Sequence, residues 1–266
     1  MINIVTVNKN NLSGLIRTAD SILCQTDLNF RWTIVDGNST DGSIDYINNL
    51  QFKNLLAIIE EDEGIYDAMN KGIEQSDDDD LVWFVNSGDL IGKPTVVSKL
   101  YSIKDSCDII FGNYQTYSIH NSSRISMHNP EYMDVVWLFK KTINHQSYMI
   151  KGSLLKKNKF ITKYTICADW VQLFRVLWLD NDLKITKTNE FLSVFEIGGL
   201  SSKQDDLRLE QRTKFLSSFL SPQVFESLER SASIISKNEF WDLSKIVKGR
   251  YRWSILKLLI NVIKYR

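Results

Sequence analysis

Along the first third of the chain, two rhythms of apolar residues alternate. Residues 4–8 (IVTVN), 32–36 (WTIVD), 55–60 (LLAIIE) and 81–85 (LVWFV) are short runs rich in β-branched and aromatic side chains, the composition of buried strands. Between them the spacing becomes helical. Leu12, Leu15, Ile16, Ala19, Ile22 and Leu23 share one face, with Asn10 or Asn11 available as a cap. Asn38, Ser39, Thr40 and Asp41 supply turn and cap chemistry for a short helix over 43–50. Ile65, Ala68, Met69, Gly72 and Ile73 then fall on one helical face, while Tyr66, Asp67, Asn70 and Lys71 point elsewhere. Four strands with helices between them in about 85 residues predict a doubly wound parallel α/β sheet. In such a sheet Thr6, Val7, Asn8, Asp36, Asp62, Asn86, Ser87, Gly88 and Asp89 all lie at carboxyl ends of strands, on the rim where ligands bind.

The pattern thereafter is less regular. Pro94 opens a modest helix through Val96, Val97, Leu100 and Tyr101, followed by a strand over 108–117, a polar turn at 120–123 and a strand over 124–127. A helix over 131–141 and an extended stretch over 145–150 come next. Trp170, Leu173, Phe174, Leu177 and Trp178 form an amphipathic helix with Asp169 in its first turn. Strands over 184–197, punctuated by Gly198 and Gly199, precede a helical remainder. The expected division is a domain over 1–200 and a helical segment over 201–266.

With 43% apolar and 24% charged residues and a formal net charge of zero, the chain is an ordinary globular one, and nucleic acid is not an expected partner. Cys24, Cys107 and Cys167 are far apart in apolar surroundings, which predicts buried, reduced thiols and a cytoplasmic setting. The first strand leaves no room for a signal peptide, and no uncharged run approaches the ~20 residues of a spanning helix. Residues 248–266, KGRYRWSILKLLINVIKYR, combine six basic residues with aromatic and aliphatic ones. That pattern predicts peripheral contact with the inner face of the cell membrane, a docked helix being the alternative.

Three motifs carry a resemblance: residues 34–42 (IVDGNSTDG), 64–72 (GIYDAMNKG) and 84–89 (FVNSGD), with a weaker match at Ala168-Asp169-Trp170. In this order they resemble the family 2 glycosyltransferases of the GT-A fold, inverting enzymes that use nucleotide sugars. The resemblance implies a UDP- or GDP-sugar donor, a glycan or lipid-linked acceptor in surface polysaccharide synthesis, and Mn²⁺ or Mg²⁺ as cofactor. Asp36 would bind base or ribose. Thr6, Val7, Asn8, Asp62, Tyr66, Asn70, Lys71, Asn86, Ser87 and Gly88 would line the donor pocket, with Lys71 near the diphosphate.

Asp89 would be the metal ligand, since a hard cation commonly takes one or two carboxylates and completes its shell with phosphate and water. Relatives usually show Asp-Asp where this chain has Asp36-Gly37, and acidic residues where it has Asn86 and Gly88. Asp169 would be the general base, with His145 as acceptor-binding residue or alternative base. The run Asp77, Asp78, Asp79 and Asp80 lies at the wrong end of its strand and is expected to be a solvated loop. A nucleotide-sugar-binding protein without turnover remains the rival reading, given the thinned acidic motifs.

Overall fold

The computed structural model describes residues 1–117, 124–180, 182–196 and 204–235. The expected turn at 120–123, Gly198, Gly199 and residues 248–266 lie outside the described residues.

The alternating rhythm resolves into β1 (Ile2–Asn8), α1 (Leu12–Leu23), β2 (Arg31–Asp36), α2 (Ser43–Asn49), β3 (Leu55–Ile59), α3 (Ile65–Glu74) and β4 (Leu81–Phe84). Then follow β5 (Leu90–Ile91), α4 (Val96–Tyr101), β6 (Ile109–Tyr117), β7 (Arg124–Met127), α5 (Val135–Lys140), β8 (Tyr148–Lys151), α6 (Gly152–Lys157), α7 (Ala168–Leu179), β9 (Ile185–Glu196), α8 (Asp205–Phe219) and α9 (Pro222–Ile235). The sheet runs β3-β2-β1-β4-β8-β6-β9-β5, with β7 paired to β6. Its first four strands are parallel, which sets Asn8 beside Asp36 and Asp36 beside Ile59 at one rim. The α/β architecture agrees with expectation, but the second half is not doubly wound. There β8 runs antiparallel to both β4 and β6, and β5 antiparallel to β9.

Period-two alternation in the strands builds two cores. Val5, Val7, Val82, Phe84, Ile109 and Phe111 face α3, α5, α6, α7, α8 and α9. Ile2, Ile4, Leu81, Trp83, Val85 and Ile110 face α1, α2 and α4. Each such fully buried aliphatic or phenyl group contributes about 1.5–3 kcal/mol relative to exposure. Phe215 and Leu216 of α8 and Val224 and Leu228 of α9 belong to the first of these cores, so α8 and α9 share the core of the sheet domain.

Four expectations are corrected. Tyr66 faces inward and Ile65 outward: the Tyr66 ring stacks on Phe160 at 5.4 Å, while Ile65 is 46% exposed. The layer preceding α7 offers α3 a second apolar neighbour, which widens its buried stripe. In the acidic run, Asp80 is buried and ion-paired to Arg31 at 2.9 Å, whereas Asp77, Asp78 and Asp79 are exposed. Cys107 and Cys167 are buried free thiols, but Cys24 is exposed at the end of α1. The stretch predicted as extended from 145 begins instead with a 3-10 turn, His145–Ser147, before β8.

Candidate active site

The rim of the parallel half forms a hydrogen-bonded knot. Asp36 is fully buried and accepts from Asn8 Nδ2 (2.6 Å), Ser39 N (2.7 Å) and Ser39 Oγ (2.9 Å). Its position follows from β2 running into a tight turn whose Ser39 bonds back to it. Asp62 arrives from the β3–α3 loop, held by Gly64 N (2.9 Å) and facing Lys9 Nζ at 3.9 Å. Its Oδ2 lies 2.1 Å from where a Cβ at Gly37 would stand. A carboxylate from the third strand's loop therefore fills the space beside Asp36 that a side chain at 37 would take.

Thr6 and Val7 contribute differently from Asn8. Thr6 Oγ1 accepts from Trp32 Nε1 (3.0 Å) within the core, and Val7 presents its carbonyl to Ser87 N (3.1 Å). The backbone of the turn after β4 is fastened by Thr18 of α1, whose hydroxyl donates to the carbonyls of Asn86 (3.2 Å) and Asp89 (2.7 Å) and accepts from Gly88 N (2.9 Å). Asp89 Oδ2 accepts from Gln146 Nε2 (2.9 Å) and Asn86 N (3.3 Å). Loss of water around the Asp89 carboxyl raises its pKa to about 6, against the opposing His145 charge and the Gln146 hydrogen bond.

Among the described residues no three His, Cys, Asp or Glu side chains cluster as a metal site. The oxygens that remain without partners at this rim are Asn8 Oδ1, Asn86 Oδ1 and Ser87 Oγ. One carboxylate with amide and hydroxyl oxygens suits a hard divalent cation only when phosphate and water complete its shell. The donor set thus fits Mn²⁺ or Mg²⁺ bound together with a diphosphate.

The opposite wall centres on Asp169. Its Oδ2 meets His145 Nδ1 at 3.3 Å, and its Oδ1 accepts from Trp170 N (2.8 Å) and faces the Tyr66 hydroxyl at 3.4 Å. His145 Nε2 lies 3.0 Å from Asn86 Nδ2. With that amide nitrogen as donor, Nε2 accepts and Nδ1–H donates to the carboxylate. Burial alone would raise the Asp169 pKa. The His145 hydrogen bond and the ring's charge when protonated outweigh it, aided by Trp170 N and Arg212, and hold the carboxyl below its ordinary range.

The residues of α3 serve this wall. Asn70 grips Phe160 through both ends of its amide, Nδ2 to the carbonyl (3.0 Å) and Oδ1 from the backbone N (2.9 Å). Tyr66, one turn earlier, stacks on the same residue. Together they fix the loop that runs into α7 and Asp169. Lys71 is ion-paired with Glu60 (2.9 Å) and Asp67 (3.6 Å).

Residues 3–185 match the family model described as Glycosyl transferase family 2. The chain belongs to glycosyl transferase family 2. A relative from Mycobacterium bovis, a PGL/p-HBAD biosynthesis glycosyltransferase, is 27% identical over 212 residues, covering 76% of this chain and 79% of its own. S. aureus TarS 1-349 in complex with UDP-GlcNAc shares the fold at a TM-score of 0.60 and 15% identity, over 88% of this chain and 65% of that one. The mannosyltransferase PcManGT from Pyrobaculum calidifontis, in complex with GDP-Man and Mn²⁺, matches at 0.54 and 10% identity, over 100% and 88%. These likenesses establish the GT-A fold.

Sequence reasoning missed Thr18, Ser39, Gln146 and Arg212. Ser39 lay inside a quoted motif and was read as turn chemistry. Gln146 sits next to His145, and in a 3-10 turn adjacent side chains diverge by about 120°; this is how one turn can serve both walls. Thr18 and Arg212 carried no local signal, since each looks like an ordinary helix residue. No described helix is long and apolar enough to cross a membrane.

Proposed function

We propose that this family 2 glycosyltransferase transfers a hexosyl or N-acetylhexosaminyl group, with inversion, from a UDP- or GDP-sugar to a glycan or lipid-linked acceptor in surface polysaccharide synthesis. The observation that carries the reading is the Asn86–His145–Asp169 chain, which joins the rim after β4 to a carboxylate held below its ordinary pKa range. The donor nucleotide lies over Asn8, Asp36 and Asp62, and Asp89 with Asn86 would hold Mn²⁺ or Mg²⁺, which when bound offsets the charge of the departing diphosphate. Asp169 takes the proton of the acceptor hydroxyl as its oxygen bonds to the anomeric carbon and the bond to the diphosphate breaks. His145 orients that carboxylate. A single displacement with one base inverts the anomeric centre. UDP-GlcNAc bound to TarS and GDP-Man with Mn²⁺ bound to the mannosyltransferase support the donor class.

Release of nucleoside diphosphate from a panel of UDP- and GDP-sugars, with and without acceptor and Mn²⁺, tests the reading. Acceptor-stimulated release supports it. Saturable donor binding with no release under any condition favours the rival reading, a nucleotide-sugar-binding protein without turnover, to which the single carboxylate of the turn after β4, Asp89, lends some weight. Residues 248–266 would attach the enzyme to the cytoplasmic face of the membrane, each basic group adding about 1 kcal/mol near an anionic leaflet. Flotation of full-length and truncated protein with anionic liposomes checks this: equal flotation defeats it.

A further inference from the structure

Beyond the stretch that matches the family, α8 returns to the site through Arg212. The Arg212 guanidinium lies 4.5 Å from the centroid of the Trp170 ring, and its Nη2 donates to Thr142 Oγ1 at 2.7 Å. Trp170 follows Asp169 directly and is itself pinned by Nε1 donating to the carbonyls of Leu138 (2.9 Å) and Lys141 (3.2 Å). Thr142 stands three residues before His145. Arg212 therefore clasps both segments that meet at the His145–Asp169 contact, and its Nε is buried without a partner. Arg212 is half-buried, and drawing a guanidinium partly out of water onto an aromatic face is costly unless its charge is used.

We propose that Arg212 is a positioning residue for proton transfer: stacked on Trp170 and bonded to Thr142, it fixes the base against His145 and favours its ionised form. This rests on Asp169 being the base. The groups that face Asp169 are Tyr66 from α3, His145 from the 3-10 turn, Tyr148 from β8, Cys167 just before α7, and Arg212 from α8, with Arg208 acting on Arg212 and Cys167. Tyr66, Tyr148 and Cys167 are all shifted upward by burial, Cys167 to about 12, so they stay neutral. Arg212 itself is pushed down to about 10 by burial, against the pull of Asp169, and remains charged at neutral pH.

The test compares full-length Arg212→Gln, Arg212→Lys, Thr142→Val and Asp169→Asn. Two readouts are used: nucleoside diphosphate release from the UDP- and GDP-sugar panel, and titration of the Asp169 carboxyl by ¹³C NMR, assigned by its loss in Asp169→Asn. Arg212→Gln should lower kcat about tenfold or more, within the range that slight misplacement costs. It should also raise the Asp169 midpoint, the direction expected when a nearby opposite charge is lost. Arg212→Lys should restore the midpoint, and Thr142→Val should lower kcat with the midpoint unmoved. A wild-type midpoint in folded Arg212→Gln, or equal losses in Gln and Lys variants with no shift in either, overturns the inference. If Arg212→Gln does not fold, the inference stands or falls on the Lys and Val variants: it is overturned if Thr142→Val has wild-type kcat. Wild-type turnover by Asp169→Asn would instead sink the assignment of the base, and the NMR midpoint would still report on Arg212.

Discussion

On the donor wall, Asn8, Asp36 and Ser39 are tied together at the ends of two adjacent parallel strands. On the base wall, Tyr66, His145, Asp169 and Arg212 come from four elements whose chain positions span much of the protein. The donor wall is therefore a product of sheet topology: any chain that forms the parallel half brings those positions to one rim. The base wall exists only once α3, the 3-10 turn, α7 and α8 have packed. Damage to the first should fall on binding, and damage to the second on turnover.

Asp169→Asn should show the contrast most strongly, with kcat down by about 10²–10⁴ and donor affinity nearly unchanged, as expected for loss of a general base. Calorimetric binding of UDP or GDP beside steady-state rates checks it, and a collapse of affinity would erase the distinction between the walls. Asp89→Ala should come next, with Mn²⁺-dependent turnover down by about 10² and the fold intact. At this carboxyl a proton competes with the cation. Its pKa is raised to about 6, so Mn²⁺ affinity measured with UDP present should fall by up to tenfold per pH unit below that point and level off above it.

Asn70→Ala strikes the base wall from beneath. It leaves the Phe160 backbone groups without partners and should cost about 1–3 kcal/mol of stability, read as a lower melting temperature, with kcat reduced more than donor affinity. The smallest effect belongs to the thiols. Cys24 is exposed while Cys107 and Cys167 are buried with raised pKa values, so one equivalent of maleimide should label the native protein at Cys24 and leave activity within about twofold.

Legibility follows the same division. The strand runs, the helices between them and the rim residues could be read from local rhythm, because period and position in a parallel sheet fix which residues emerge at the carboxyl ends. The antiparallel half could not be read, since pairing of β8 between β4 and β6 depends on contacts across 66 to 70 residues of chain to β4 and 37 to 41 to β6, and short apolar runs do not state their partners. Tyr66 and Asn70 were legible as a motif but not as a structural grip, because the partner they hold, Phe160, lies 90 residues beyond Asn70. Asp80 shows the same effect at the opposite edge: four identical letters concealed one buried carboxylate, although Arg31 reaches both it and the exposed Asp77.

The packing of Asp62 over Gly37 makes these two positions interdependent over evolutionary time. A lineage acquiring aspartate at 37 while keeping Asp62 would pass through a clash, with two carboxylates contending for one space. Removing Asp62 first would instead clear that space beside Asp36. The order of the two changes matters, and a set of relatives should hold one acidic group at either position far more often than at both.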